Sequence, residues 1–150
     1  MTRFAPMMDL ALEEARAARD RGEIPVGAVL VDPKGTVIAR AGNRTRELSD
    51  PTAHAEMLVI REACARLGSE RLTGCALYVT LEPCAMCAAA VSAARIARLY
   101  YGAADPKSGG VEQGARVFAR EQSHHAPEVH GGIAETECVG LLKEFFEGLR

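Results

Sequence analysis

The sequence predicts one three-layer α/β/α domain, in which a mixed five-stranded sheet lies between helices. Its 150 residues leave room for a single domain, and an apolar content of 48% is enough to build a buried core. Short apolar runs typical of buried strands alternate with longer stripes at helical spacing. The last two predicted strands are separated by more than the dozen or so residues that a parallel connection needs. We therefore expect residues 1–150 to form one domain around a mixed sheet.

The first predicted elements are a helix and a hairpin. Apolar residues at helical spacing open the chain, with Gly22 as the expected stop: Phe4, Met8, Ala11, Ala15 and Ala18. The apolar run at 26–31 is too short for a helix and predicts a strand. Turn residues at 32–35 then predict a return strand at 36–41.

The second predicted helix has a sharp start. Asp50 is a good N-cap, and Pro51 suits the first helical position because its missing N–H would be unpaired there. Gly68 is the expected end. The apolar stripe predicts the buried face of this helix: Met57, Ile60, Cys64 and Leu67.

Strands and helices alternate through the second half of the chain. Further strands are predicted at 76–81, 98–102 and 128–133. Helices are predicted at 84–95, at 116–121 within a crossover of residues 103–127, and along a final stripe: Cys138, Leu141, Leu142, Phe145 and Leu149.

Charge and hydropathy exclude several classes of protein. The net charge of −2 lacks the basic excess of general nucleic-acid binders, so an RNA partner would have to use a local patch. No uncharged stretch approaches the roughly 20 apolar residues of a membrane span. Acidic residues near the N-terminus interrupt any signal-peptide core. We expect a cytoplasmic protein with no membrane segment.

The five cysteines favour metal or catalytic thiols over disulfides in a cytoplasmic chain. Cys84 and Cys87 are three residues apart at a predicted helix start, about 60° apart around the axis, and can share one ion. The helix N-terminus favours the thiolate form that zinc requires. His54 and Glu56 are two residues apart, so both reach one pocket only if they use a helix end.

Three protein ligands leave tetrahedral zinc a fourth position for water, which is the pattern of catalytic sites. Zinc lowers the pKa of such a water to about 7. Glu56 is not needed as a ligand, and it can accept the water proton and deliver it to a substrate nitrogen. This constellation predicts hydrolytic deamination with zinc as the cofactor.

Two other interpretations of the cysteine pair remain open. Cys84 and Cys87 could be half of a structural zinc site completed elsewhere in the chain: by Cys64, Cys75, His124, His125 or His130. A Cys-x-x-Cys pair at a strand-to-helix junction is also typical of thioredoxin-like redox proteins. Neither interpretation explains His-Ala-Glu at 54–56. The remaining cysteines are expected in the core: Cys64, Cys75 and Cys138.

These motifs resemble those of the zinc-dependent nucleoside and nucleobase deaminases, which combine His-x-Glu with Pro-Cys-x-x-Cys. The chain carries them at 54–56 and 83–87. Within that superfamily the chain is similar to the bacterial tRNA adenosine deaminases in segments that span most of its length: 23–31, 42–44, 50–56, 77–87, 101–103 and 105–109. The similarity weakens between about residues 110 and 132.

The resemblance implies a cytidine-deaminase-like fold and a homodimer with each active site near the subunit interface. It also implies conversion of adenosine to inosine at the wobble position, in the anticodon loop of tRNA. It assigns one zinc ion per chain to His54, Cys84 and Cys87, and proton transfer to Glu56. Substrate contacts are assigned to five residues: the purine to Asn43, a base face to Ile24, the pocket lining to the backbone of Ala55 and Pro83, and flanking nucleotides to Asp105.

Other functions stay open on the sequence alone. The low net charge, with three Tyr, four Phe and no Trp, also fits a deaminase of free guanine or cytosine. Many single-strand binders instead combine a basic groove with aromatic stacking. A non-enzymatic structural zinc module is a further alternative. Asn43 could be only a turn residue at a strand end, and Ile24 only a core residue.

Overall fold

The computed structural model describes residues 5–149, which form five strands and four α-helices. The helices are α1 (Ala5–Asp20), α2 (Ala55–Leu67), α3 (Ala85–Ala93) and α4 (Glu135–Glu147), with a short 3₁₀ helix at Val117–Ala119. The strands are β1 (Gly27–Val31), β2 (Val37–Gly42), β3 (Ala76–Leu81), β4 (Arg98–Ala103) and β5 (Glu128–His130). Within 5–149, none of the helices has the length and apolar character of a transmembrane span.

All five strands join one sheet in the order β2-β1-β3-β4-β5. β1 runs antiparallel to β2 and β3, whereas β3, β4 and β5 are parallel to one another. Helices α2 and α3 pack into one buried core cluster on the sheet, and α1 and α4 pack into a second. The predicted three-layer α/β/α fold with a mixed five-stranded sheet is confirmed.

Helix α1 packs directly on β1 at Gly27. A side chain at this position would collide with the backbone carbonyl of Ala11, so the close approach requires glycine. The predicted stripe is buried where it is described: Met8, Ala11, Ala15 and Ala18. Phe4 lies outside the described residues. Gly22 follows the helix with a φ of 84°, as expected of a stop residue.

The predicted start of α2 at Asp50 and Pro51 is wrong. The Asp50 carboxylate accepts the backbone N–H and the hydroxyl of Thr52, at 2.8 and 2.7 Å, in a turn that competes with the helix. The N-cap is His54, in extended conformation. The end of α2 is as predicted, because Gly68 adopts a left-handed conformation.

The buried face of α2 is also rotated from the predicted one. Its buried residues are Ala55, Glu56, Val59, Ile60 and Ala63. Of the predicted stripe, Met57 and Cys64 are only half-buried and Leu67 is 47% exposed. Small side chains at Ala55 and Ala63 occupy the sheet side of the helix. This rotation brings the carboxylate of Glu56 to the interior.

The remaining boundaries agree with the sequence pattern to within a few residues. β3 has the predicted limits, and β4 extends one residue further, to Ala103. β5 ends at His130, before the predicted residue 133, and Gly132 beyond it has a φ of 79°, which is not strand backbone. The predicted helix at 116–121 is only the short 3₁₀ helix. In α4, Cys138 and Leu141 are buried as predicted, whereas Leu149 lies beyond the helix and is 68% exposed.

Candidate active site

The candidate site forms where α2 and α3 begin. His54 is the N-cap of α2 and Cys84 the N-cap of α3, and both have extended backbones. Neither side chain makes a capping hydrogen bond. Instead both turn toward the gap between the two helix starts, where Cys87 in the first turn of α3 is buried beside them. The predicted ligands are thus brought together by two helix ends.

The distances among these three side chains fit a tetrahedral zinc ion. Nδ1 of His54 lies 3.7 Å from Sγ of Cys84 and 3.5 Å from Sγ of Cys87. Zn–S bonds of about 2.3 Å and Zn–N bonds of about 2.0–2.1 Å at the tetrahedral angle place sulfur and nitrogen about 3.6 Å apart. Among the described residues this is the one group of three candidate ligands close enough to hold a metal ion, with ligand atoms within 4.8 Å of one another.

Protein contacts favour a thiolate at this group. A hydrogen bond from Cys87, opposed by burial and supported by His54, lowers the pKa of Cys84 to about 4. Hydrogen bonding to Cys84 and burial raise the pKa of Cys87. Hydrogen bonding to Cys84 also raises the pKa of His54. The low pKa of Cys84 means that one thiol is already deprotonated before a metal ion binds. The other ligands must lose their protons when the ion binds, so the metal affinity of the site depends on pH.

Glu56 lies beside this group without belonging to it. It is 3% exposed, and burial raises the pKa of its carboxyl group to about 7. Its own backbone N–H and the charge of His54 act in the opposite direction. A carboxyl group with a pKa near neutrality can both accept and release a proton. The burial and the raised pKa of Glu56 suit the predicted proton-transfer role.

A pocket of about 550 Å³ opens over the candidate ligands, a size typical of small-molecule sites. Its lining includes the site residues His54, Glu56 and Cys84, together with Ile24, Val26, Asn43, Thr45, Leu81, Glu82, Leu142 and Phe146. One side consists of Ala104, Asp105, Lys107 and Ser108, which we call the outer wall.

The amide of Asn43 has a fixed orientation in this pocket. Its Oδ1 accepts the backbone N–H of Ala55 at 2.8 Å, so its NH₂ group is left to face other partners. Asn43 is 8% exposed and lines the pocket, as expected of a substrate contact. Ala55 and Pro83 are not among the residues that line this pocket, unlike the prediction, because their backbone groups have partners within the protein: the Ala55 N–H is bound to Asn43, and the Pro83 carbonyl accepts the Gly110 N–H at 2.8 Å.

Ile24 and Asp105 both reach the pocket. Ile24 is 44% exposed, so it is not the core residue that the alternative interpretation required. The Asp105 carboxylate also has a local task, because its Oδ1 accepts the backbone N–H groups of Lys107 and Ser108 at 3.1 and 3.0 Å. Those bonds fix the turn of the outer wall.

Sequence reasoning missed several pocket residues. Thr45, Leu142 and Phe146 line it, and the last two come from α4, about 90 residues after His54 along the chain. Glu82 was given no role, although an acidic residue at the end of an otherwise apolar strand was a usable signal. Its carboxylate is 2% exposed and accepts backbone N–H groups from a distant segment.

The alternative ligands of a structural zinc site lie elsewhere within the described chain, since none of them joins the His54 group. Cys75 and Cys138 are buried as expected, and Cys64 is half-buried. Nε2 of His125 lies 2.9 Å from the carbonyl oxygen of Ile96, and Nε2 of His130 lies 2.8 Å from the Glu128 carboxylate.

A three-layer α/β/α domain with one His and two Cys at neighbouring helix starts, and a buried Glu beside them, defines the class of zinc-dependent deaminases. Residues 1–103 match the family model described as the cytidine and deoxycytidylate deaminase zinc-binding region. The chain belongs to this family. Zinc is its cofactor, and the His54, Cys84 and Cys87 group is consistent with one ion per chain.

Relatives within the family are similar over nearly the whole chain. A protein of Agrobacterium fabrum named tRNA-specific adenosine deaminase is 63% identical over 143 residues, which cover 95% of this chain and 93% of the relative. A Bacillus subtilis protein of the same name is 47% identical, over 100% of this chain and 92% of the relative. A solved structure from a study of A-to-I editing by tRNA:A34 deaminases superposes with a TM-score of 0.90, at 64% identity, over 91% of this chain and 99% of that one. The comparisons favour the deaminase prediction over the redox and structural-zinc alternatives.

Proposed function

We propose that this protein hydrolytically deaminates adenosine to inosine at the wobble position of tRNA. The observation that carries the proposal is its likeness, along almost the entire chain, to proteins named tRNA-specific adenosine deaminase. The pocket supports the proposal. It is lined by the Asn43 amide, whose orientation is fixed, and it is bordered by surface loops, as a base flipped out of an RNA loop requires.

His54, Cys84 and Cys87 would hold the zinc ion. Bound zinc acts as a Lewis acid and makes a hydrolytic nucleophile available at neutral pH. The Glu56 carboxylate accepts a proton from the attacking water and returns it to a nitrogen of the base. In the net reaction water is consumed, the bond from C6 to the exocyclic nitrogen breaks, a bond from C6 to oxygen forms, and ammonia leaves.

Side chains around the pocket orient the base and its neighbours. The Asn43 NH₂ group can donate to an acceptor nitrogen of the purine, since its carbonyl oxygen is held by Ala55. Ile24 offers an exposed apolar surface to the face of the base. Asp105 and Lys107 are polar groups of the outer wall, where the flanking nucleotides of the anticodon loop would lie.

The proposal includes a homodimer of single-domain subunits in the cytoplasm, where tRNA is available. Three alanines spaced four residues apart lie exposed on one face of α3: Ala85, Ala89 and Ala93. Such a face permits close helix packing, which supports a subunit contact beside the site. The joining of all described strands into one sheet supports residues 1–150 as one catalytic unit.

The test uses the zinc-loaded protein and a synthetic anticodon stem-loop with adenosine at the wobble position. A matched stem-loop with its only loop adenosine one position away serves as the control. We expect inosine in the first RNA and none in the second, measured by mass spectrometry of the digested nucleosides. Free adenosine should react far more slowly, because contacts to neighbouring nucleotides orient the base.

The same assay decides against the proposal if guanine or cytosine is converted while both stem-loops stay unmodified. That result would retain a zinc-dependent deaminase with a free-base substrate. A protein with full zinc content that converts none of these substrates would contradict the assignment of the pocket as their catalytic site.

A further inference from the structure

A buried carboxylate connects the metal-ligand turn to a distant segment of the chain. Glu82 lies between the end of β3 and Pro83, and it is 2% exposed. Its Oε1 accepts one backbone N–H at 3.0 Å, from Asp105. Its Oε2 accepts three more at 2.8–3.1 Å: from Val111, Glu112 and Gln113.

The charge of Glu82 is balanced by these backbone groups and not by a cation. None of the ion pairs found within residues 5–149 includes Glu82. A buried carboxylate is tolerated only where hydrogen bonds replace its lost hydration. The carboxylate and the segment 105–113 therefore depend on each other.

The backbone of this segment also lies unusually close to the helix start that carries the cysteines. A Cβ atom at Gly109 would come within 2.7 Å of the Glu82 carboxyl carbon, and one at Gly110 within 2.5 Å of the Ala85 nitrogen. The Gly110 N–H donates to the Pro83 carbonyl at 2.8 Å, and Gly109 bridges to Cys84. Glycine at both positions permits this contact.

Asp105, whose backbone N–H binds Glu82, is part of the outer wall of the pocket. Asp105 is held through its backbone N–H by Glu82 and in turn fixes the backbone of Lys107 and Ser108. We infer that Glu82 is a positioning residue, which holds the outer wall in a fixed place relative to the turn of Cys84. Only the identity of the substrate in this inference rests on the proposed function.

Glu82→Gln tests the inference with almost no change of shape. Three N–H donors converge on Oε2, so the amide oxygen should take that place and the NH₂ group should face the Asp105 N–H. That attachment is then lost. We expect unchanged zinc content. Amide hydrogen exchange at 105, 107 and 108 should be faster by about 10- to 100-fold, because one hydrogen bond to a charged group is lost.

The kinetic expectation is a higher KM for the stem-loop with a smaller change in kcat. Asp32→Asn is the matched control, because the Asp32 carboxylate also accepts two backbone N–H groups, both at 2.9 Å, but in the β1–β2 turn. Both N–H groups bind Oδ1, so the amide oxygen of Asn can keep both bonds, and this variant should leave KM unchanged. Gly110→Ala is the second variant: it displaces the same segment with Glu82 intact and should raise KM in the same direction.

Coupling to Lys107 separates positioning from general stabilisation. Lys107→Ala should raise KM in the wild-type background and have a smaller effect in Glu82→Gln, since the outer wall is already displaced there. Additive effects, or a KM in Glu82→Gln equal to that of Asp32→Asn, would overturn the inference. If the wild type leaves the stem-loop unmodified, the proposed function fails and hydrogen exchange alone decides: unchanged exchange at 105, 107 and 108 rejects the positioning role.

Discussion

Replacing Glu56 by Gln separates proton transfer from metal binding and from folding. The side chain is 3% exposed, and Gln has nearly the same size and shape. Burial raises the pKa of the Glu56 carboxyl group to about 7, above its ordinary 4.5, so its charge destabilises the fold as the pH rises above 4.5. A neutral amide removes that cost. We therefore expect Glu56→Gln, compared with the wild type after zinc is removed from both, to fold and to unfold at the same or a higher temperature.

The expected loss is in kcat. General acid–base catalysis by one positioned group contributes about 10²- to 10⁴-fold, which corresponds to about 3–5 kcal/mol in the activation barrier. Glu56 is the buried carboxylate beside the ligand group. Among the described residues, the other acidic side chains that line the pocket are Glu82 and Asp105. Their carboxylates are bound to backbone N–H groups. Neither can replace Glu56 as the base.

The assay is single-turnover deamination of the anticodon stem-loop at saturating protein, with zinc measured on the same preparation. Glu62→Gln is the control on the same helix, since Glu62 is exposed and pairs only loosely with Arg66 at 3.8 Å. The control should react like the wild type. Turnover of Glu56→Gln within a few-fold of the wild type would refute the proton-transfer role, and loss of zinc would make Glu56 a ligand instead.

Four further predictions follow from the same contacts. Cys84→Ala should lose the bound zinc, measured by elemental analysis, because two ligands do not replace three. Burial raises the pKa of Glu23, but hydrogen bonds from the backbone N–H groups of Glu47 and Arg46 outweigh burial, so the pKa is lowered. Glu23 therefore stabilises the fold above pH 4.5, and this stabilisation is lost as the pH falls through the lowered pKa. The thermal stability of Glu23→Gln should therefore fall less than that of the wild type in acid. Ala89→Arg should convert a dimer to a monomer in light scattering with zinc retained, whereas a monomeric wild type would contradict the proposed interface. Stem-loop affinity should fall with a log–log salt slope of about −2 if about three phosphates are neutralised, and a slope near zero would contradict RNA binding.

The sheet and the ligand set were predictable because their signals are local. β3 was placed at its observed limits since its run is apolar on both faces and ends before Pro83. Cys84 and Cys87 were identified because they are three residues apart at one predicted helix start. His54 was identified from the His-Ala-Glu motif that it forms with Glu56. Each of these patterns lies within a few residues, where backbone geometry alone relates the side chains.

What the sequence pattern placed wrongly depends on competing contacts. Asp is a common helix N-cap, but the Asp50 carboxylate accepts the backbone N–H of Thr52 and stabilises a turn instead. The buried face of α2 follows its small residues, although the bulky Met57 and Leu67 marked another stripe. Phe146 reaches the pocket because α4 packs against β4, where Cys138 lies against Gly102. Such non-local packing leaves no signal within a sequence window.

The site is built from helix starts and from loops, and two buried carboxylates hold the loops in place. The ligands and Glu56 lie at helix starts, whose backbones are fixed by their own hydrogen bonds. The surrounding loops have no such ladder, yet Glu23 holds the N–H groups of Arg46 and Glu47 beside Thr45, and Glu82 holds the segment of the outer wall. A loop fixed in this way has already lost its conformational freedom on folding, so less is lost when the substrate binds. The exposed side chains of Lys107 and Ser108 can then change without moving the wall, whereas Glu82 and Gly110 cannot.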